Sequence, residues 1–210
     1  LTIVLTLFIW LKDSRKWMKW LGIVALVGVI AQGVLGGLRV VHLSLVLAII
    51  HGCLAQLFFA LTTSFVLFTS REWNETSPGI QQREATSRLR RLGVLTTSLI
   101  YIQLIFGAVL RHTGARLDAH LLFAALVAIH IFLLAKRILR SHLEQKRLVR
   151  TVSRLAGLLA LQLMLGIGAF LGKFTTVGQE MSTVAITIAT LHVLVGALML
   201  IVSVVLTLRI

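Results

Sequence analysis

The 210 residues are 58% hydrophobic and 13% charged, with a mean hydropathy of +0.96, which puts the chain outside the range of soluble domains and inside that of membrane-embedded ones. The formal charge of +14 does not make nucleic acid a partner, because the basic residues are confined to short segments between apolar runs, where positive charge sets orientation. The single cysteine, Cys53, lies inside an apolar run, so no disulfide can form within the chain and small core packing is its expected role.

In chain order, the first segment is Leu-Thr-Ile-Val-Leu-Thr-Leu-Phe-Ile-Trp, ending at Trp10. It is about half of the roughly 20 residues a span requires and reads as the tail of a truncated helix. It has neither the basic n-region nor the small-residue cleavage site of a signal peptide. Six full spans follow, near residues 20–40, 43–69, 92–111, 118–138, 155–173 and 184–208. Each is expected to be helical, because lipid leaves an unclosed structure no other way to satisfy its backbone groups. The fold class is therefore all-α, a polytopic transmembrane helical bundle.

Links near 40–43 and 111–118 are only a few residues long, so the helices they join must be antiparallel neighbours; the link at 173–183 is somewhat longer. The links near 70–91, which holds the only proline, Pro78, and 139–154 are polar and read as solvated surface loops.

Alternate links differ in charge. Seventeen of the 21 lysines and arginines fall on one side, in the groups 12–19, 71–91, 136–154 and at Arg209; Arg39, Arg111, Arg116 and Lys173 fall on the other. That alternation predicts a cytoplasmic location for the basic side, where Trp10, Trp17, Trp20 and Trp73 would form an interfacial belt. All seven acids, Asp13, Glu72, Glu75, Glu84, Asp118, Glu144 and Glu180, lie outside the apolar centres. No carboxylate is placed to carry a proton or cation through the membrane, which argues against ion-coupled transport.

A weak repeat runs through the outward-going spans. Gln32 to Gly36, Gln103 to Gly107 and Gln162 to Gly166 share Gln-x-x-x-Gly, and each is followed by a span carrying a histidine, His51, His120 or His192. One reading is close helix packing at the glycines with glutamines bonding across helices. The other is a duplicated four-helix unit with a site in each half.

An intramembrane histidine is a site hypothesis by default. At about 1.5 Å rise per residue, His51 and His192 lie roughly 12 and 13 Å inside the outer ends of their spans. His120 lies about 5 Å in, if Asp118 caps its helix, and His130 about 20 Å in. Two neutral imidazoles from facing helices suit axial coordination of a heme iron. Depth alone leaves both His120 and His130 open as the partner of His192. His42, His112 and His142 sit outside the spans.

The stretches Gln32-Gly-Val-Leu-Gly-Gly-Leu-Arg39 and Gly107-Ala-Val-Leu-Arg-His-Thr-Gly114, with His51-Gly52 followed by Gln56, Phe58 and Phe59, resemble the heme A synthase family of bacterial and mitochondrial membranes. The resemblance runs over nearly the whole chain and implies two fused four-helix units. Residues 1–91 would be the remainder of an N-terminal, substrate-heme unit, and 92–210 a C-terminal unit holding heme b. By position after the Arg-His-Thr-Gly corner it makes His120 and His192 the ligands of heme b, with Arg111 near its propionates. It makes His51 a ligand of the substrate heme O, with Arg39 near its propionates. The second histidine of that half, and a family glutamate, would lie upstream of Leu1.

The implied reaction is oxidation of the heme O methyl group, through successive oxygen-dependent hydroxylations, to the formyl group of heme A for terminal oxidases. The implied setting is the bacterial cytoplasmic membrane. Membrane lipid, the heme substrate and an unidentified electron donor would be partners, with heme O synthase or a second copy of the chain as further candidates. Many members carry a cysteine pair in the outward loops, and this chain has none there. A membrane heme b electron carrier or heme-handling protein without oxygenase activity uses the same ligands and is the alternative.

Overall fold

The structure is a computed structural model that describes residues 1–71, 73, 83–174 and 182–210. Glu72, Glu75, Pro78 and Glu180 lie outside the described residues. Seven helices are present among those described: α1 Thr2–Lys12, α2 Lys16–Val41, α3 Leu45–Phe68, α4 Arg83–Thr113, α5 Leu117–Ser141, α6 Lys146–Phe174 and α7 Thr183–Arg209. Six of them, α2 to α7, are long and apolar enough to cross a membrane, and the chain is a polytopic helical bundle with membrane-spanning helices in contact with lipid.

The helices start earlier than the apolar runs do. α4 and α6 each begin nine residues ahead of the apolar span, so residues 83–91 and 146–154 are helical and not the loop expected from their polarity. Only residues 142–145 separate α5 from α6. The cause is an amphipathic leader: Leu148, Val152 and Leu155 are buried while Lys146, Arg147, Arg150 and Arg154 are exposed. Leu89 is likewise buried between exposed Arg88 and Arg90. Arginine, lysine and leucine are good helix formers, so the helix continues through the charge. α5 also starts at Leu117, which puts Asp118 in its first turn rather than at the cap, where its charge still complements the helix dipole.

Packing separates two compact units, Leu1–Asn74 with Gly107–Arg116, and Glu75–Phe106 with Leu117–Ile210. In the first, α1 meets α2 through Thr6, whose hydroxyl donates to the Gly22 carbonyl at 3.0 Å. Ile9, Met18, Ala25 and Phe65 form its apolar core. The α1–α2 link is held by Arg15, which forks onto Asp13 (2.6 Å at closest), donates to the Phe68 carbonyl at 3.1 Å and lies 5.3 Å over the Trp17 ring. Trp17, Phe68 and Trp73 stack edge to face at 5.0 and 4.8 Å. The expected tryptophan belt is thus partly an internal clasp.

In the second unit α7 is the organising helix. Val195, Ala197, Met199, Leu200, Ser203 and Leu206 are all buried. Small residues let it approach α6 closely: a Cβ at Gly172 would lie 2.8 Å from the Ala185 Cβ, and one at Gly168 3.0 Å from Ile188. Numbers descend on α6 as they rise on α7, the register of an antiparallel pair packed on small residues. On another side the Thr97 hydroxyl of α4 bonds Ser203 (2.7 Å) and Thr207 (3.0 Å).

Candidate functional site

In the second unit the chain brings His120 of α5 and His192 of α7 together, with ring centroids 6.3 Å apart and planes at 70°. The rings meet in spite of the unequal depths read from the sequence. His120 is in the first turn of α5, whereas α7 has nine residues before His192. His130 goes elsewhere: its Nδ1–H donates to the Leu126 carbonyl of its own helix at 2.8 Å.

Each ring of the pair is held by a glutamine. The amide nitrogen of Gln103 on α4 lies 3.4 Å from His120 Nε2, and that of Gln162 on α6 lies 3.3 Å from His192 Nε2. Glycines make room for this. A Cβ at Gly166 would lie 3.1 Å from His192 Cε1, and one at Gly196 would lie 3.3 Å from the Gln162 amide nitrogen. The imidazole therefore rests on bare α6 backbone while the glutamine rests on bare α7 backbone. The Gln-x-x-x-Gly repeat marked one half of this interlock in the sequence. Its mirror, His192-x-x-x-Gly196, carried the same spacing signal and was not used.

In the first unit His51 of α3 sits against Gly36 of α2, where a Cβ would lie 3.3 Å from His51 Cε1. Here the glutamine is turned differently: the Gln32 amide donates to the backbone carbonyl of His51 at 3.3 Å, not to the ring. Arg39 and Arg111 are exposed in the last turns of α2 and α4, and neither side chain has a hydrogen-bond or ion-pair partner among the described residues. His42 and His112 are exposed near the same helix ends.

The fit of these residues to a metal group follows from their donors. Two imidazoles sharing one ion through ring nitrogens, at about 2.0–2.1 Å per bond, have centroids roughly 6 Å apart, close to the separation found here. Among the described residues no three of His, Cys, Asp and Glu converge. A pair of nitrogen donors suffices only for an ion that brings its own equatorial ligands, as heme iron does. The buried Nδ1 atoms of His120 and His192 and the Oε1 atoms of Gln103 and Gln162 have no hydrogen-bond partner, and such groups are costly in an apolar interior. A bis-imidazole heme site would use these two donors, and His120 and His192 are the residues that would hold it.

The fold and this polar interlock define a polytopic α-helical membrane protein with paired intramembrane histidines. No family model, curated protein or solved structure matches the chain.

Proposed function

We propose that the chain is a heme-binding membrane oxidoreductase of the heme A synthase type, with heme b held by His120 and His192 and heme O as substrate near His51. The observation that carries the reading is the 6.3 Å pairing of His120 with His192. It is supported by the reuse of the same glycine seat under His51 and by the Leu-Gly-Gly-Leu-Arg and Arg-His-Thr-Gly corners at residues 35–39 and 111–114.

Bound heme b would supply one-electron redox chemistry, the part of the reaction no side chain here provides. The chain's own share is orientation. The α6–α7 interlock fixes the His192 ring, α4 fixes His120, and the apolar helices keep bulk water from the substrate methyl. Arg39, exposed at the end of α2 in the same unit as His51, would take a propionate of the substrate heme by a charge-assisted bond.

A second reading is a membrane heme b electron carrier without oxygenase activity. It is favoured by one observation: among the described residues His120 and His192 are the one pair of intramembrane histidine rings in contact, a single bis-histidine site. The complete native protein, expressed with a source of heme O and analysed for extractable hemes, separates the two. The synthase reading predicts heme A or its hydroxylated intermediate; heme b alone, with heme O unchanged, would overturn it in favour of the carrier.

A further inference from the structure

The glutamines beside the paired histidines face ring nitrogens with N–H groups, and that orientation has a chemical consequence. A neutral imidazole carries one N–H and one lone pair. An amide N–H pointing at Nε2 needs a lone pair there, which puts the ring proton on Nδ1, a buried atom with no protein acceptor, so the Nε2 contact has to outweigh an unpaired Nδ1–H. Gln103 meets His120 Nε2 in this way at 3.4 Å, and Gln162 meets His192 Nε2 at 3.3 Å. Gln162 is itself seated, because Gly196 leaves the space its amide nitrogen occupies. The ring cannot swing off its position on α6 without leaving the gap that Gly166 provides.

We propose that Gln103 and Gln162 are positioning residues that hold His120 and His192 in the Nδ1-protonated tautomer, keeping unprotonated the Nε2 atoms that a metal would take. A histidine free in water favours the opposite tautomer, with the proton on Nε2, so the glutamines invert the ordinary preference. A metal arriving at either ring meets a lone pair already exposed and displaces a neutral amide, with no proton to remove. The tautomer is a property of the chain alone; only the identity of the metal group rests on the heme reading.

The first unit is the internal control. Gln32 bonds the backbone carbonyl of His51 and leaves its ring alone, so nothing in that contact sets the His51 tautomer.

The test is nitrogen-15 magnetic resonance of the full chain, labelled at histidine, in lipid nanodiscs at neutral pH, with each ring assigned by its own His→Ala variant. The expected spectrum has His120 and His192 protonated on Nδ1. Gln162→Met moves the His192 proton to Nε2 and leaves His120 unchanged, and Gln103→Met does the converse, with helix content by circular dichroism unchanged. Hemin titrated into the doubly substituted chain should bind on the order of tenfold more weakly than to the unsubstituted one, the usual scale for losing a group that orients a metal ligand. Nε2-protonated rings in the unsubstituted chain, or tautomers indifferent to both substitutions, would overturn the proposal. The expected tautomers in a chain that takes up no hemin would support the positioning role and overturn the heme reading alone.

Discussion

His51 and His192 follow the same pattern in the sequence, a Gln-x-x-x-Gly helix and then a histidine on the next, and they end in different chemical situations. Both rings rest on the glycine, with Cε1 3.3 Å from a Cβ built at Gly36 and 3.1 Å from one at Gly166. They differ at the glutamine, which holds the ring in one unit and the backbone in the other. The difference teaches that glycine spacing determines where an imidazole sits between helices, whereas a side-chain torsion one turn away determines what its nitrogens can do.

The sharpest way to break this comparison is to fill the two seats. Gly166→Val should cost about 1–3 kcal/mol by overpacking and push His192 away from His120. Gly36→Val should cost less, because its neighbour is farther from the new Cβ. Thermal unfolding of the detergent-solubilised variants, followed by circular dichroism, checks the order; equal costs would show that the glycines are not ring seats.

A smaller effect should come from the hydroxyls that tie helices in each unit. Thr97→Val removes the bonds to Ser203 and Thr207, and Thr6→Val removes the bond to the Gly22 carbonyl. Interhelical bonds in membranes are worth about 0.6 kcal/mol on average and at most about 1.7. Thr97→Val should be the more damaging of the two, since it breaks two contacts, and the same unfolding measurement reads it.

The smallest effect is a pH dependence confined to the first unit. The hydrogen bonds from Arg15 hold the Asp13 carboxyl below its usual range, and Asp13 raises Arg15 in return. A lowered carboxyl favours the fold at any pH above its ordinary range, and that contribution is lost as pH falls through the lowered value. Asp13→Asn should therefore lower stability slightly at neutral pH, where the ion pair contributes, and make no difference below the lowered value, which flattens the acid limb of the unfolding profile. Partial exposure keeps the effect small, and a loss of equal size at acid and neutral pH would assign Asp13 a packing role instead.

The spans were legible because apolar length and the side-to-side alternation of lysine and arginine report membrane crossing directly. The starts of α4 and α6 were not, since their leading turns hide Leu89, Leu148 and Val152 among cations, and polarity there reads as loop. The candidate ligands were legible as intramembrane histidines. Their pairing was only half so: along ideal helices His120 is too shallow and His130 too deep for His192 by similar amounts, and the level at which two helices meet is set by packing, which no residue count encodes. The turn of Gln32 toward a backbone carbonyl is a rotamer choice, which no spacing encodes.

The central claim is that His120 and His192 together hold a heme. It is tested most directly by the reduced-minus-oxidised absorption spectrum of the purified, detergent-solubilised chain, with pyridine hemochrome analysis, beside His120→Ala, His192→Ala and His51→Ala. A low-spin b-type signal that disappears in the first two variants and persists in the third is the predicted result. A chain without heme, or a heme signal indifferent to both His120→Ala and His192→Ala, would contradict it.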